Sequence, residues 1–262
     1  MKTMYRVALL AVAVVLLVIS GPVRASAAET DERIESSAKK SYVFQIYLKN
    51  DAINVESRDG VVTLTGTVAE EFHKSLAQET VASLPGVKSV DNRLELIGER
   101  AAENSDAWIS MKVKATLLFH RNLSTSMNDV QVRDGVVTLR GEAANPAQID
   151  LATEYVKDVE GVKDVQNEMT VSKTPRSSEE KTMGEKMGAV GESIDDASVT
   201  ALVKMTLLYH RATSALHTRV ETNDGLVTLG GTARNAAEKD LATKYVQDVH
   251  GVKSVVNNIS IE

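Results

Sequence analysis

Three stretches of the chain repeat one alternation of apolar and polar positions. In the second, Ile109, Val113, Leu117 and His120 fall at i, i+4, i+8 and i+11, one stripe of an amphipathic helix. Val130-Gln131-Val132-Arg133 then alternates, Asp134-Gly135 interrupts, and Val136-Val137-Thr138-Leu139 resumes. Asp-Gly between β-rich runs predicts a two-residue type I′ hairpin, in which both turn residues take φ > 0. A second helical stripe follows: Leu151, Ala152, Tyr155, Val156 and Val159 here, and Phe72, Leu76, Ala77, Thr80, Val81 and Leu84 in the first stretch. It stops at a helix-ending glycine, Gly86, Gly161 or Gly251. Val87, Val90, Leu94 and Leu96 then mark a final strand.

The predicted unit is α-β-β-α-β, an α+β fold with two helices on one face of a three-stranded sheet. Val62, Leu64 and Gly66 share the face that meets the helices, and the other face, with Thr, Arg, Glu and Lys, is wet. Gly66, Gly141 and Gly231 are expected to let a helix approach the strand closely. Asp106 and Asp196 are expected as N-caps or first-turn acids. Strand order stays open, because a helix between the second and third strands permits a parallel neighbour or a split arrangement.

The turns Asp59-Gly60, Asp134-Gly135 and Asp224-Gly225 set the repeat frame, with offsets of 75 and 90. Residues 106–171 and 196–261 align without gaps and are identical at 33 of 66 positions. The period is too long for a solenoid of short repeats, so each unit is read as a small domain with its own core. The expected domains are 31–97, 106–172 and 194–262. Residues 98–105 form a short linker; 173–193, rich in Ser, Gly, Lys and Glu, read as a flexible tether. The first two domains are therefore expected to hold a more fixed relation than the last two.

The beginning of the chain departs from this pattern. Lys2 and Arg6 precede an apolar run from Val7 to Ile19, then Gly21-Pro22 and Ala25-Ser26-Ala27. That is the layout of a cleaved signal peptide, residues 1–27. An uncleaved anchor is the alternative, but the run is short for a span of about 20 residues. The chain has no cysteine, which excludes disulfides and a lipid anchor at the cleavage site. Cleavage removes three cations, Lys2, Arg6 and Arg24, and takes the net charge from −6 to −9. Nucleic acid is excluded as a partner, since its binding rests on Lys and Arg at phosphates. A soluble periplasmic protein with no stable transmembrane span fits best.

The DGxVTLxG phrase, followed by Gly86-Val87-Lys88-Ser89-Val90 with Asn92 and by the matching 161–167 and 251–257, resembles the BON-domain family. A signal peptide ahead of such domains resembles its osmotically inducible periplasmic members, which typically carry two copies where this chain has three. The resemblance implies a mixed sheet, an envelope location, a role in osmotic or envelope stress, and binding of anionic phospholipid or envelope proteins. Chaperone-like activity is a further implication, as is lipid contact through the first helix of one domain, here 106–121 or 196–211.

Leu117-Leu118-Phe119-His120-Arg121 and Leu207-Leu208-Tyr209-His210-Arg211 spread apolar surface over more than one helix face. Two explanations stand: an amphipathic edge that meets lipid or an unfolded chain, or a helix packed on its own sheet and on a neighbouring domain. The residues that would carry an external contact are Trp108, Lys112, Lys114, Phe119, Arg121, Tyr209 and Arg211. Copy one has Gln45-Ile46 in place of His-Arg, so the copies cannot all do one job. The recurring Asn92, Asn167 and Asn257 are expected to bond nearby backbone. His73, His120, His210, His217 and His250 show neither HExxH nor paired ligand spacing, and no G-x-S-x-G, P-loop or dinucleotide loop occurs. No catalytic residue, cofactor or metal site is expected.

Overall fold

The computed structural model describes residues 22–123, 127–172, 194–214 and 216–262. The apolar run expected as a signal peptide and the expected tether at 173–193 lie outside the described residues. Domain 1 contains α1 (Pro22–Lys40), a π turn (Val43–Tyr47), β1 (Ala52–Arg58), β2 (Val61–Val68), α2 (Glu71–Ala82) and β3 (Ser89–Leu96). Domain 2 contains α3 (Asp106–Phe119), β4 (Met127–Arg133), β5 (Val136–Ala143), α4 (Pro146–Lys157), β6 (Asp164–Asn167) and β7 (Thr170–Val171). Domain 3 repeats this as α5 (Asp196–Tyr209), β8 (His217–Asn223), β9 (Leu226–Ala233), α6 (Ala236–Gln247), β10 (Ser254–Asn257) and β11 (Ser260–Ile261). Among the described residues no helix is long and apolar enough to cross a membrane.

Each domain is a mixed sheet with its second strand central. In domain 1, β1 pairs antiparallel with β2 (Val55 opposite Leu64), and β2 pairs parallel with β3 (Val62 opposite Val90). The hairpin supplies the antiparallel pair; α2 carries the chain back for the parallel one. In domains 2 and 3 the last strand is split into two short strands, both parallel to the central one. Val62, Leu64, Val137, Leu139, Val227 and Leu229 are fully buried under the helices. Each such side chain contributes roughly 1.5–3 kcal/mol relative to exposure.

The Asp-Gly turns form as the pattern predicts, with φ of 53° and 79° at Asp59 and Gly60 and closely similar angles in the other two copies. What holds them is an acid 28 residues upstream. The Asp31 carboxylate accepts from the N–H groups of Asp59 (2.8 Å) and Gly60 (2.9 Å). Asp106 does the same for Asp134 and Gly135, and Asp196 for Asp224 and Gly225, at the same two distances. The Ser57 hydroxyl and the Gly60 N–H hold the Asp31 carboxyl below its ordinary pKa. Asp106 and Asp196 are thus first-turn residues that clamp the hairpin. The N-caps are their neighbours Ser105 and Asp195, which accept from the N–H groups of Trp108 and Ser198.

Close helix approach occurs at a different glycine from the one expected. A Cβ on Gly66 would lie 1.8 Å from the Ala52 carbonyl oxygen on β1, and one on Gly231 1.9 Å from that of His217 on β8. These glycines accommodate the neighbouring strand, not a helix. The helix approaches at Gly161 and Gly251, where a Cβ would lie 2.9 Å from Ile109 Cγ1 and 2.6 Å from Val199 Cγ2. The recurring asparagines bond locally as expected. Asn167 Nδ2 donates to the Ile149 carbonyl (3.0 Å) and Thr153 Oγ1 (2.8 Å), and its Oδ1 accepts from Met169 N (3.0 Å). Asn92 and Asn257 tie their last strands to α2 and α6 in the same manner.

The cores are not three separate bodies. Domain 2 closes its own core, with Tyr245 of domain 3 added. The cores of domains 1 and 3 run together, with Ala115 and Phe119 of α3 included in them.

Candidate functional site

The helices α3 and α5 end without a glycine. Their C-caps, His120 and His210, turn into extended backbone (φ −85°, ψ 122° and φ −84°, ψ 128°). The last helical carbonyls, which lack an intrahelical donor, are met from the other domain. Phe119 O accepts from His250 N (3.1 Å), and Tyr209 O from Glu160 N (3.3 Å). His120 then pairs antiparallel with Val249, and His210 with Val159. Arg121 N donates to Asp248 O (2.9 Å), and Arg211 N to Asp158 O (2.7 Å). Each of these bonds has a mate displaced by 90 residues. Domains 2 and 3 therefore face each other across a local twofold, as identical subunits do in an isologous dimer.

Side chains repeat the symmetry. His120 stacks on Tyr155 (ring centroids 4.3 Å apart), and His210 on Tyr245 (3.9 Å). The tyrosines meet edge-on at 5.4 Å, and the histidines at 5.6 Å. Tyr155 donates its hydroxyl to Asp248 Oδ2 (2.6 Å), and Tyr245 donates to Asp158 Oδ2 (2.9 Å). Arg121 donates to the carbonyls of Gln247 and Val252, and Arg211 to those of Val162 and Val159. Burial raises both phenol pKa values, with the accepting carboxylates acting in the same direction. Burial lowers His120 and His210; at His210 the Thr206 carbonyl and Asp158 oppose the shift.

Near the axis the symmetry is broken in charge. Positions 154 and 244 are equivalent in the repeat, and they pair as Glu154 with Lys244. Pairing domain 2 with a second domain 2 would set glutamate against glutamate; pairing domain 3 with itself would set lysine against lysine. The copies match each other better than either matches itself.

Domain 1 joins domain 3 by other means. Its first helix breaks after Lys40 into the π turn, which directs Tyr42 N to Asp195 Oδ2 (2.7 Å) and Val43 N to Ser198 Oγ (3.0 Å). Lys204 of α5 reaches Glu79 of α2 at 2.9 Å. Domains 2 and 3, expected to hold the looser relation, are in direct contact, and domain 1 touches both, domain 2 through Phe119 and domain 3 through α5. Domain 3 is the hub, bonded to domain 2 by the seam and to domain 1 through α5.

The residues expected to make an external contact do not form one surface. Phe119 is fully buried, 5.7 Å from Tyr47 and 6.0 Å from Phe72 of domain 1, measured between ring centroids. Tyr209 is buried as well, and burial raises its pKa. The guanidiniums of Arg121 and Arg211 are held by carbonyls of the opposing domain. Lys112 is buried, its Nζ 2.6 Å from Glu160 Oε2 and 3.6 Å from the Trp108 ring centroid. Neighbouring domains cover Phe119, Tyr209, Arg121 and Arg211, while Lys112 is held by Glu160 and Trp108 of its own domain. Lys114 remains exposed and Trp108 half-buried. The sequence reading missed Tyr155, Asp158, Tyr245 and Asp248. The available signal was that copies two and three share them while copy one has Thr80 and Ser83 at the equivalent places.

The BON domain matches residues 30–98, 105–173 and 195–262. Over 200 residues the chain is 33% identical to the osmotically inducible protein Y of Escherichia coli K12, covering 76% of this chain and 92% of that protein. It is 30% identical over 139 residues to a 21 kDa hemolysin of Actinobacillus pleuropneumoniae, covering 52% and 71%. The solved C-terminal domain of CdsD, a structural protein of the Type III secretion system of Chlamydia trachomatis, aligns over 84% of this chain and 95% of its own at 15% identity, with a TM-score of 0.23. Three matches to one domain, placed on three units of the same α-β-β-α-β order, make the chain a three-domain member of the BON-domain family.

Proposed function

We propose that this is a non-enzymatic periplasmic protein of osmotic or envelope stress that docks on anionic phospholipid through the open side of α3. One comparison within the chain carries the reading. On α5, Ala197 and Ala201 are buried where domain 1 covers the helix. At the equivalent places on α3, Ala107 is exposed and Met111 only partly covered. Ala107, Met111, Lys114 and Leu118 lie at i, i+4, i+7 and i+11, one face on which Ala107 and Lys114 are exposed while Met111 and Leu118 are half-buried against the joint core of domains 1 and 3, with half-buried Trp108 beside it. A cation, an indole and apolar side chains on one stripe suit the headgroup boundary. On a chain of net charge −6 the attraction must be local.

Flotation of the full mature chain with anionic and with zwitterionic vesicles tests this. Co-migration with anionic vesicles, weakened by Lys114→Glu and accompanied by a blue shift of Trp108 emission, is expected. No co-migration with either vesicle removes the lipid reading. A holdase or protein-interaction role is the second reading, favoured by Val61, Leu226 and Val256, which are 44%, 40% and 42% exposed on outer sheet faces. Suppressed aggregation of an unfolded client in the absence of lipid would select it.

A further inference from the structure

The seam places two histidines where a charge has little room. His120 and His210 are fully buried with ring centroids 5.6 Å apart. His210 Nδ1 lies 2.8 Å from the Thr206 carbonyl, while its Nε2 has no hydrogen-bond partner among the described residues. A third histidine, His250, is buried on the same strip, and its backbone N–H donates to Phe119 O. The groups facing them come from every element of the seam. Tyr155 stacks on His120 and Tyr245 on His210. Asp248 and Asp158 hold the two phenols, Arg121 and Arg211 flank the histidines along the chain, and Glu154 and Lys244 lie at the axis. Both carboxylates are already hydrogen-bonded to the tyrosines, and the flanking guanidiniums add positive charge.

We infer that this seam is an acid-operated latch: when His120 and His210 take up protons, domains 2 and 3 part, and the seam residues His120, Arg121, Tyr155, His210, Arg211 and Tyr245 become free to meet another surface. The sign follows from burial, which is the largest influence on each ring and lowers its pKa; His250 is pushed down to about 4. Above the ordinary histidine pKa of about 6.5 both states are neutral and the latch holds. Below it, the parted state binds protons that the closed state resists. The closed state therefore loses stability as the pH falls from about 6.5 towards the lowered values. From pH 7.5 to 5.5 a histidine that stays neutral in the closed state raises the opening constant about tenfold, so His120 and His210 together raise it by up to about a hundredfold. The inference does not depend on what the freed surface binds.

Site-resolved hydrogen exchange on the full chain, corrected for intrinsic rates, is the test. The seam donors Arg121 N, Glu160 N, Arg211 N and His250 N should lose up to about a hundredfold protection through His120 and His210 between pH 7.5 and 5.5, and up to about a further tenfold through His250. The turn amides Asp134 and Asp224, held within their own domains, should not. In the His120→Phe, His210→Phe double variant, which keeps the ring stacks and cannot titrate, the difference should shrink to the share of His250, about tenfold or less. Equal behaviour of seam and turn amides in the wild type would overturn the latch. So would a variant that retains the full hundredfold change. Should the variant not fold, the wild-type contrast alone decides.

Discussion

Domain 2 meets domain 3 through residues that both copies carry: His120 and His210, Arg121 and Arg211, Tyr155 and Tyr245, Asp158 and Asp248. Domain 1 meets domain 3 partly through residues that domain 2 does not repeat, since Asp195 and Ser198 of domain 3 correspond to Ser105 and Trp108 of domain 2. One fold thus attaches by two kinds of surface. The first is self-complementary, so repeating it in a chain yields a twofold pair. The second is built once, and relies on a broken helix that turns two backbone N–H groups outward. Among the described residues, buried histidines lie at the centre of the first.

Four substitutions separate these contacts. Phe119→Ala removes a fully buried ring that packs against Tyr47 and Phe72. It should cost about 3–5 kcal/mol in urea unfolding. Early proteolysis near the π turn should accompany it, because the ring joins domain 1 to the rest. Asp196→Ala strips the carboxylate from the Asp224 and Gly225 amides. About 2 kcal/mol of destabilisation is expected, as for a charge-assisted bond lost at a partly buried site. Faster exchange at those two amides identifies the turn as the cause. Tyr245→Phe deletes the hydroxyl bound to Asp158 and keeps the ring stack. A loss near 1 kcal/mol should fall on the seam amides and leave Tyr42 N and Val43 N protected. Glu154→Lys sets like charges near the axis. Both side chains are about half exposed, so the effect should be below about 1 kcal/mol. Adding Lys244→Glu should restore it, and a double-mutant cycle with no recovery would deny that the two positions face each other.

Much of the fold was legible because its signals are local. Asp-Gly with flanking alternation specifies the hairpin, and the stripes at 109–120 and 151–159 specify helices. The Asp106 clamp was half visible: the residue was recognised at the helix start, but its bond to a turn 28 residues away leaves no periodic trace. Gly66 was assigned to the right kind of constraint and the wrong neighbour, since a strand glycine does not say from which side the other backbone approaches. The site was less legible. A helix with apolar residues on more than one face announces a contact, but Leu117–Arg121 cannot tell whether its partner is lipid or the domain 90 residues further on. The sharper clue lay in which identities the second and third copies share and the first lacks. Tyr155 and Asp158 are in that set, and their chemistry, a phenol and a carboxylate three residues apart, becomes meaningful only when the copies face each other.

The absence of cysteine makes the twofold seam directly measurable. With Glu154→Cys and Lys244→Cys as the only thiols, a short bismaleimide should link domain 2 to domain 3 within one monomer, in high yield at neutral pH. A chain that stays unlinked, or that links only to other chains, would contradict the pairing of the two domains on which this account of the protein rests.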